Sequence, residues 1–171
     1  SMNHPRGIAV DEKHVYVTDT GNSRLIKLTL TGEFVKHFGR VGKDPDQFSH
    51  PLGIAVWDGK LYVADVGNKR IQVLTTEGEH VRSYPVTGWN GEVFNEPYVA
   101  VTPDDMIWYS DPNRSMVVCM NKDGAIVKGY DKDSSKRPFG LPMGLGVDGD
   151  GNVLVVDARN HKVQMIQKET K

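Results

Sequence analysis

The sequence predicts an all-β fold: a β-propeller of four blades, each a sheet of four short antiparallel strands, with the last blade lacking its outer strand. Three observations predict it. A unit of proline, apolar strand, turn and second apolar strand recurs with its prolines at 5, 51, 97 and 142, intervals of 46, 46 and 45 residues. A period of roughly 40–50 residues built from short strands marks propeller blades. Between the turns the apolar residues alternate or run together over a few positions, and no long stretch has the helical period. The 18 glycines and 9 prolines punctuate these short segments, as strand boundaries require.

The blades cover about 4–47, 48–93, 94–138 and 139–171 of a single array. In blade one, strands are expected at 7–11, 14–19, 24–30 and 34–38; Phe34-Val35-Lys36-His37-Phe38 alternates like an outer strand with one wet face. Blade two repeats the scheme at 53–57, 61–65, 70–75 and 80–84, with Asp58-Gly59 and Glu77-Gly78 as hairpin turns. Blade three uses 98–102, 106–110, 116–121 and 125–130. Blade four has 144–148, 153–157 and 162–167. Cys119 sits in the apolar run Met116–Met120 and reads as a packing residue.

Longer connectors, about 39–52, 85–97 and 130–142, join one blade's outer strand to the next blade's inner strand. Each ends in Phe, two residues, then Pro: Phe48 to Pro51, Phe94 to Pro97 and Phe139 to Pro142. An aromatic ring ahead of a fixed-φ proline is expected to plug the space between neighbouring blades.

The pattern Phe-x-x-Pro-x-Gly-Ile-Ala-Val, a turn, an apolar strand ending in Asp, then x-x-Asn-x-Arg resembles the NHL-repeat family. All four repeats carry the resemblance. Blade two matches best; blade four has Lys162 where the Arg belongs, and blade three, Asp111-Pro112-Asn113-Arg114-Ser115-Met116, departs most. The residues themselves suggest why the set recurs. The Asp closing a strand accepts hydrogen bonds from the amides of the next turn, and Gly and Asn tolerate left-handed backbone there. The cation five residues on starts the return strand, where it can pair with a carboxylate of its own or of the adjacent blade. Asp19 with Arg24, Asp65 with Arg70 and Asp157 with Lys162 are therefore structural positions. The resemblance implies propellers that are usually six-bladed and closed by strands from both chain ends. Four blades, the last incomplete, then imply an excised fragment, a small four-bladed ring, or a homo-oligomer in which two chains close one ring.

Composition narrows function by exclusion. Basic and acidic residues balance, 21 against 22, so global charge favours neither nucleic acid nor an anionic membrane. No apolar run has the roughly 18 residues that a membrane helix needs. One cysteine permits no internal disulfide, and nothing in the sequence names a compartment. There is no Gly-rich phosphate loop, no Gly-x-Ser-x-Gly elbow and no paired-cysteine zinc spacing, so no cofactor is expected. Three function classes remain. The favoured one is a non-enzymatic scaffold binding a protein or peptide through its loop face. The second is single-stranded RNA on a face collecting Arg24, Lys69, Arg70, Arg114, Arg159, His161 and Lys162, with Trp89, Tyr98 and Phe139 for stacking. The third is a metal-dependent lyase using His4, His50 and Glu96, suggested by likeness to a propeller-type lyase with channel histidines. The candidate binding residues are those the repeats do not share: His50, Trp89, Tyr98, Arg114 and Arg159. Trp89, between Gly88 and Gly91 in an irregular connector, is expected to be exposed, with folding down over the channel mouth as the alternative.

Overall fold

A computed structural model describes residues 1–91 and 96–168. The chain divides into two compact units, Ser1–Phe94 and Asn95–Lys171. Among the described residues all regular structure is β apart from three one-turn 3-10 segments.

The first unit holds two four-stranded antiparallel sheets. Strands β1 (Pro5–Val10), β2 (His14–Asp19), β3 (Arg24–Thr29) and β4 (Phe34–Phe38) lie side by side in chain order. So do β5 (Pro51–Trp57), β6 (Lys60–Asp65), β7 (Arg70–Thr75) and β8 (His80–Pro85). Sequential antiparallel neighbours need only tight turns, and Asp58 and Gly59 supply one with φ of 46° and 66°, the mirror-image turn that matches strand twist. The inner strands begin at the marker proline itself, two residues earlier than expected. Pro5 lies opposite Asp19 and Pro51 opposite Asp65, each followed by a register shift before Ile8 and Ile54. A proline has no N–H to give the ladder, so a strand's first residue, just ahead of a bulge, accommodates it.

The core of this unit runs between its two blades. Phe48 is fully buried among Tyr16 and Leu25 of the first sheet and Ile54, Leu61, Val63 and Leu74 of the second. The connector Phe is thus the expected plug. Outer strand β4 is drier in sequence than in space: Phe34 and Val35 are both exposed, and only Lys36 and Phe38 are half-covered. The expected single wet face fails there because the outermost strand is packed only near its Phe38 end.

The second unit pairs β9 (Val99–Val101), β10 (Ile107–Asp111), β11 (Met116–Met120) and β12 (Ile126–Tyr130) in one sheet. Its other sheet has three strands, β13 (Pro142–Val147), β14 (Val153–Asp157) and β15 (Lys162–Ile166). Phe139 plugs this pair of blades, buried with Ala100, Trp108, Val117 and Cys119 on one side and Val153, Val155 and Ile166 on the other. Phe94, the middle plug of the sequence pattern, lies outside the described residues.

Candidate functional site

On each blade the second strand ends in a buried aspartate: Asp19, Asp65, Asp111 and Asp157. In blade one the Asn3 amide donates to Asp19 Oδ1 at 2.6 Å, while Asn22 Nδ2 and Arg24 Nε donate to Oδ2 at 2.8 and 2.7 Å. Blade two repeats the arrangement on Asp65 with the Ser49 amide, Asn68 and Arg70, at 2.7, 2.8 and 2.8 Å. In blade four the amides of Gly140 and Leu141 and the Asn160 side chain hold Asp157. In blades one and two the amide belongs to the segment ahead of the blade, not to the following turn as the sequence suggested; in blade four the Asn160 amide of the following turn joins those of Gly140 and Leu141. The bulge at the marker proline sets that proline opposite the aspartate, so the amides just before it point at the carboxylate.

A second expectation is corrected at the same corner. The left-handed residue is not Gly or Asn but the one after Asn or its blade-three counterpart: Ser23, Lys69, Ser115 and His161, with φ of 50°, 54°, 51° and 52°. The glycine answers a need for space. A Cβ on Gly67 would lie 2.3 Å from Ser49 Oγ and 2.7 Å from its carbonyl oxygen, and one on Gly21 would lie 2.6 Å from Asn3 Cγ.

Blades three and four solve the corner differently. Arg114, standing where Asn belongs, donates to Asp111 through Nε at 2.6 Å and through its own amide at 3.3 Å. Its head group is therefore engaged in the turn. Lys162 is exposed and makes no ion pair with Asp157 among the described residues. Gln164 Nε2, in from the buried side, donates to Asp157 at 2.5 Å instead. Gln72 occupies the same place beside Asp65 at 3.2 Å. A Gln seven residues after the Asp was the signal in the sequence, present in blades two and four.

The carboxylates differ electrostatically. Burial pushes Asp65 up and wins over the Ser49 amide, Asn68 and Arg70, leaving it above the usual carboxylate range. For Asp19 burial acts the same way, but the Asn3 amide, Asn22 and Arg24 outweigh it and the group lies below its ordinary value. Asp157 is lowered likewise, burial being overcome by the Leu141 and Gly140 amides and Asn160.

The candidate binding residues fall on both units. His50 is exposed, with φ of 53° and Nδ1 3.4 Å from Ser49 Oγ. Trp89 is only 2 % exposed, which corrects the expectation of an open anchor. Its connector folds back on the blade-two corner: the Val86 amide donates to the Lys69 carbonyl at 2.8 Å, and Gly91 stands over Lys69 and Gly67. In the second unit Tyr98 is half-buried, with its amide on Ser110 Oγ at 2.8 Å. Ser115 Oγ donates to the Gly140 carbonyl at 2.9 Å, and the exposed Arg159 flanks Gly140 on its other side, so the Arg114 turn and Arg159 share one patch. Two of the rings proposed for base stacking, Trp89 and Phe139, are buried, and Arg24 and Arg70 are ion-paired at 2.7 and 2.8 Å. His4 contacts Asn3 Oδ1 at 2.7 Å. Among the described residues no three His, Cys, Asp or Glu side chains converge to hold a metal.

One site escaped the sequence reading. On the hairpin side of the first unit, a cavity of about 700 Å³ is lined by Asp11, His14, Tyr16, Lys27, Trp57 and Glu77, among others. Lys27 is 3 % exposed at a position held by Val73, Cys119 and Met165 in the other blades. Its Nζ lies 2.6 Å from Glu77 Oε1 and 5.8 Å from the Tyr16 ring centre. Lys27 and Lys36 together hold the Glu77 carboxyl down at about 2. A lone cation in an otherwise apolar column was the signal.

Comparison with known proteins places these features. The NHL repeat family model matches residues 2–28 and 48–74. A search of curated proteins gives no match. Among solved structures, a catalytically inactive virginiamycin B lyase from Staphylococcus aureus, bound to quinupristin, superposes with a TM-score of 0.66 at 16% identity, covering 98% of this chain and 56% of that one. A protein of unknown function from Bacteroides caccae gives 0.72 at 13% identity, covering 97% and 57%. The glutaminyl cyclase of Myxococcus xanthus gives 0.65 at 15% identity, covering 95% and 72%. The chain spans little more than half the length of the first two, and at these identities the likeness is one of fold. The NHL repeat model thus falls on the first two blades, and the Asp-centred corner it spans there is built in all four.

Proposed function

We propose that the chain is a non-enzymatic interaction module that binds a protein or peptide through the loops of its connector face. The observation that supports this reading is how the corner groups are spent. The buried Asp residues, their Asn or Gln donors and the cations Arg24, Arg70 and Arg114 satisfy one another inside the turns. Around them the blades diverge: the His that precedes the proline in blades one and two, His4 and His50, gives way to Glu96 and Leu141, and Arg159 stands where the other blades have Gly21, Gly67 and Asn113. Loops that vary on a rigid scaffold suit recognition, and a likeness of fold to a lyase or a cyclase carries no chemistry with it. A random peptide library selected against the chain is expected to yield sequences whose binding falls at least tenfold in His50→Glu or in Arg159→Glu, with Tm unchanged. Peptides that bind both variants like the parent overturn the reading. Salt-sensitive retention of a random single-stranded RNA pool would assign the face to nucleic acid instead.

A second partner is favoured by one specific observation. Ile8 on β1 is 66 % exposed, with Val10 exposed beside it, whereas their blade-two counterparts Ile54 and Val56 are packed in the core. An uncovered apolar pair of this kind suits a second copy of the chain. Sedimentation is expected to show a concentration-dependent rise above 19.0 kDa that Ile8→Lys with Val10→Lys removes. A parent chain that stays at monomer mass at every concentration sinks self-association.

A further inference from the structure

Lys27 is a residue that the repeat does not call for. Its counterparts in the other blades are Val73, Cys119 and Met165, and Cys119 packs in an apolar core with Trp108 and Phe139. Placing an ammonium group at such a position, on a side chain 4 % exposed, costs free energy unless its charge is met. Where one copy of a repeat departs from the others at a cost, function is the expected reason. The charge is met only in part. Lys27 Nζ donates to Glu77 Oε1 at 2.6 Å and to the Thr76 carbonyl at 3.3 Å. An ammonium has three donors, so one is left without an oxygen partner among the described residues; the centre of the Tyr16 ring is 5.8 Å away. Glu77 is also shared. Its second oxygen accepts from Lys36 at 2.6 Å, and its side chain is 61 % exposed. Two lysines therefore divide one carboxylate.

The hairpin-side cavity that Lys27 lines has a volume of about 700 Å³, a size typical of small-molecule sites. Its walls are apolar and aromatic: Val10 is exposed, and His14, Val56 and Trp57 are half-buried. The charged groups around it set up no net field against an anion. Asp11, Glu12, Asp58 and Glu77 are matched by Lys13, Lys27, Lys36 and Lys60. Asp11 accepts from the Lys13 and His14 amides and the Tyr16 hydroxyl, so its carboxylate is committed to its own turn. Asp58 pairs with Lys60 at 3.0 Å. Glu12 and Lys13 stand side by side, exposed at the rim. Of these eight charged groups only Lys27 is buried.

We infer that this cavity binds a carboxylate carried on an aromatic or apolar body. The carboxylate accepts from Lys27, and the body lies against Trp57, Val56 and His14. Glu77 marks the geometry, because it already sets a carboxylate oxygen 2.6 Å from Nζ. An incoming carboxylate takes the third ammonium proton, or displaces Glu77 onto Lys36, which holds it at 2.6 Å in any case. A buried ammonium needs little further desolvation to meet an anion, so a charge-assisted bond to it is stronger than one to a surface lysine. The carboxylate belongs to a free small acid or to the C-terminus of a polypeptide; the chemistry that recognises it is the same. The cavity opens among the β1–β2, β5–β6 and β7–β8 turns, at the strand ends opposite the Asp corners and connectors. It is therefore separate from the connector face.

The test is titration calorimetry of the intact chain with two acids, 3-phenylpropionate and a triglycyl-phenylalanine peptide, each beside its uncharged amide. At least one acid is expected to saturate, with its amide at least tenfold weaker, and the acid that saturates at the lower concentration names the source of the carboxylate. Lys27→Met, the side-chain type of Met165 in blade four, is expected to remove the preference for acid over amide while Tm holds or rises. Glu77→Gln, which withdraws the competing carboxylate and leaves Lys27 in place, is expected to tighten the acid at least threefold and to leave the amide unchanged. Failure of both acids to saturate, equal binding of acid and amide, or an undiminished preference in Lys27→Met overturns the inference. So does a Glu77→Gln variant that binds the acid no more tightly than the parent. The peptide selection against His50→Glu and Arg159→Glu is unaffected by any of these results, because it reads the other end of the strands.

Discussion

At the scale of single residues, buried charge governs this molecule. Asp65 accepts from the Ser49 amide, Asn68, Arg70 and Gln72 with no exposure of its own. Asp65→Ala strands four donors, and urea unfolding is expected to show a loss of about 2–4 kcal/mol without loss of any selective activity. The Lys27–Glu77 pair gives a pH signature. Glu77 has a folded value of about 2 against an ordinary 4.5, a depressed carboxylate. Its contribution is complete above pH 4.5 and lost as pH falls toward 2. Asp19 and Asp157 behave in the same sense, whereas Asp65, raised above 3.8, is relieved on acidification. Glu77→Gln is expected to flatten the acid limb of the Tm against pH curve between pH 4.5 and 2, and at neutral pH to cost about 1 kcal/mol or less, because Glu77 is solvent-screened and Lys27 keeps its bond to the Thr76 carbonyl. An acid limb as steep as the parent's would disprove the assignment.

At the scale of elements, turns and strands were legible to different depths. Strand positions followed from alternation and turn residues, and differ from expectation chiefly where inner strands begin at the proline. The corner was legible as a set of residues and not as a set of contacts. A bulge decides which amides reach the aspartate, and bulges leave no mark in an alternating pattern. Trp89 was misplaced for a related reason: flanking glycines suggest an open loop, while its burial follows from a connector folding back on a distant turn. The Gly67 requirement is sharp enough to test. Gly67→Ala has no backbone penalty from φ, yet its Cβ would meet Ser49 backbone and side chain at under 3 Å. Thermal unfolding is expected to show a loss of about 1–3 kcal/mol, while Gly59→Ala, with nothing within 4 Å of its Cβ, pays only for its φ of 66°.

At the scale of the whole molecule, blade number and order were legible because proline spacing reports them directly. Binding surfaces were not, because the residues a repeat makes conspicuous are those it uses to build itself. The informative positions were departures in register: Lys27 in an apolar column and Arg114 in an asparagine position. Each unit has a core centred on a connector phenylalanine. Phe48→Ala is expected to cost about 3–5 kcal/mol and to speed amide exchange in β3 and β6. Phe139→Ala is expected to do the same in β11 and β14.

The plugs also impose a schedule on biosynthesis. Tyr16 and Leu25 are covered by Phe48 and by residues as late as Leu74, which leaves the ribosome 49 residues after Leu25. At translation rates of about 5–20 residues per second, the first blade's inward side waits roughly 2–10 s for its cover. A nascent chain of this kind is most vulnerable to sticking or chaperone capture while the second blade is still being translated.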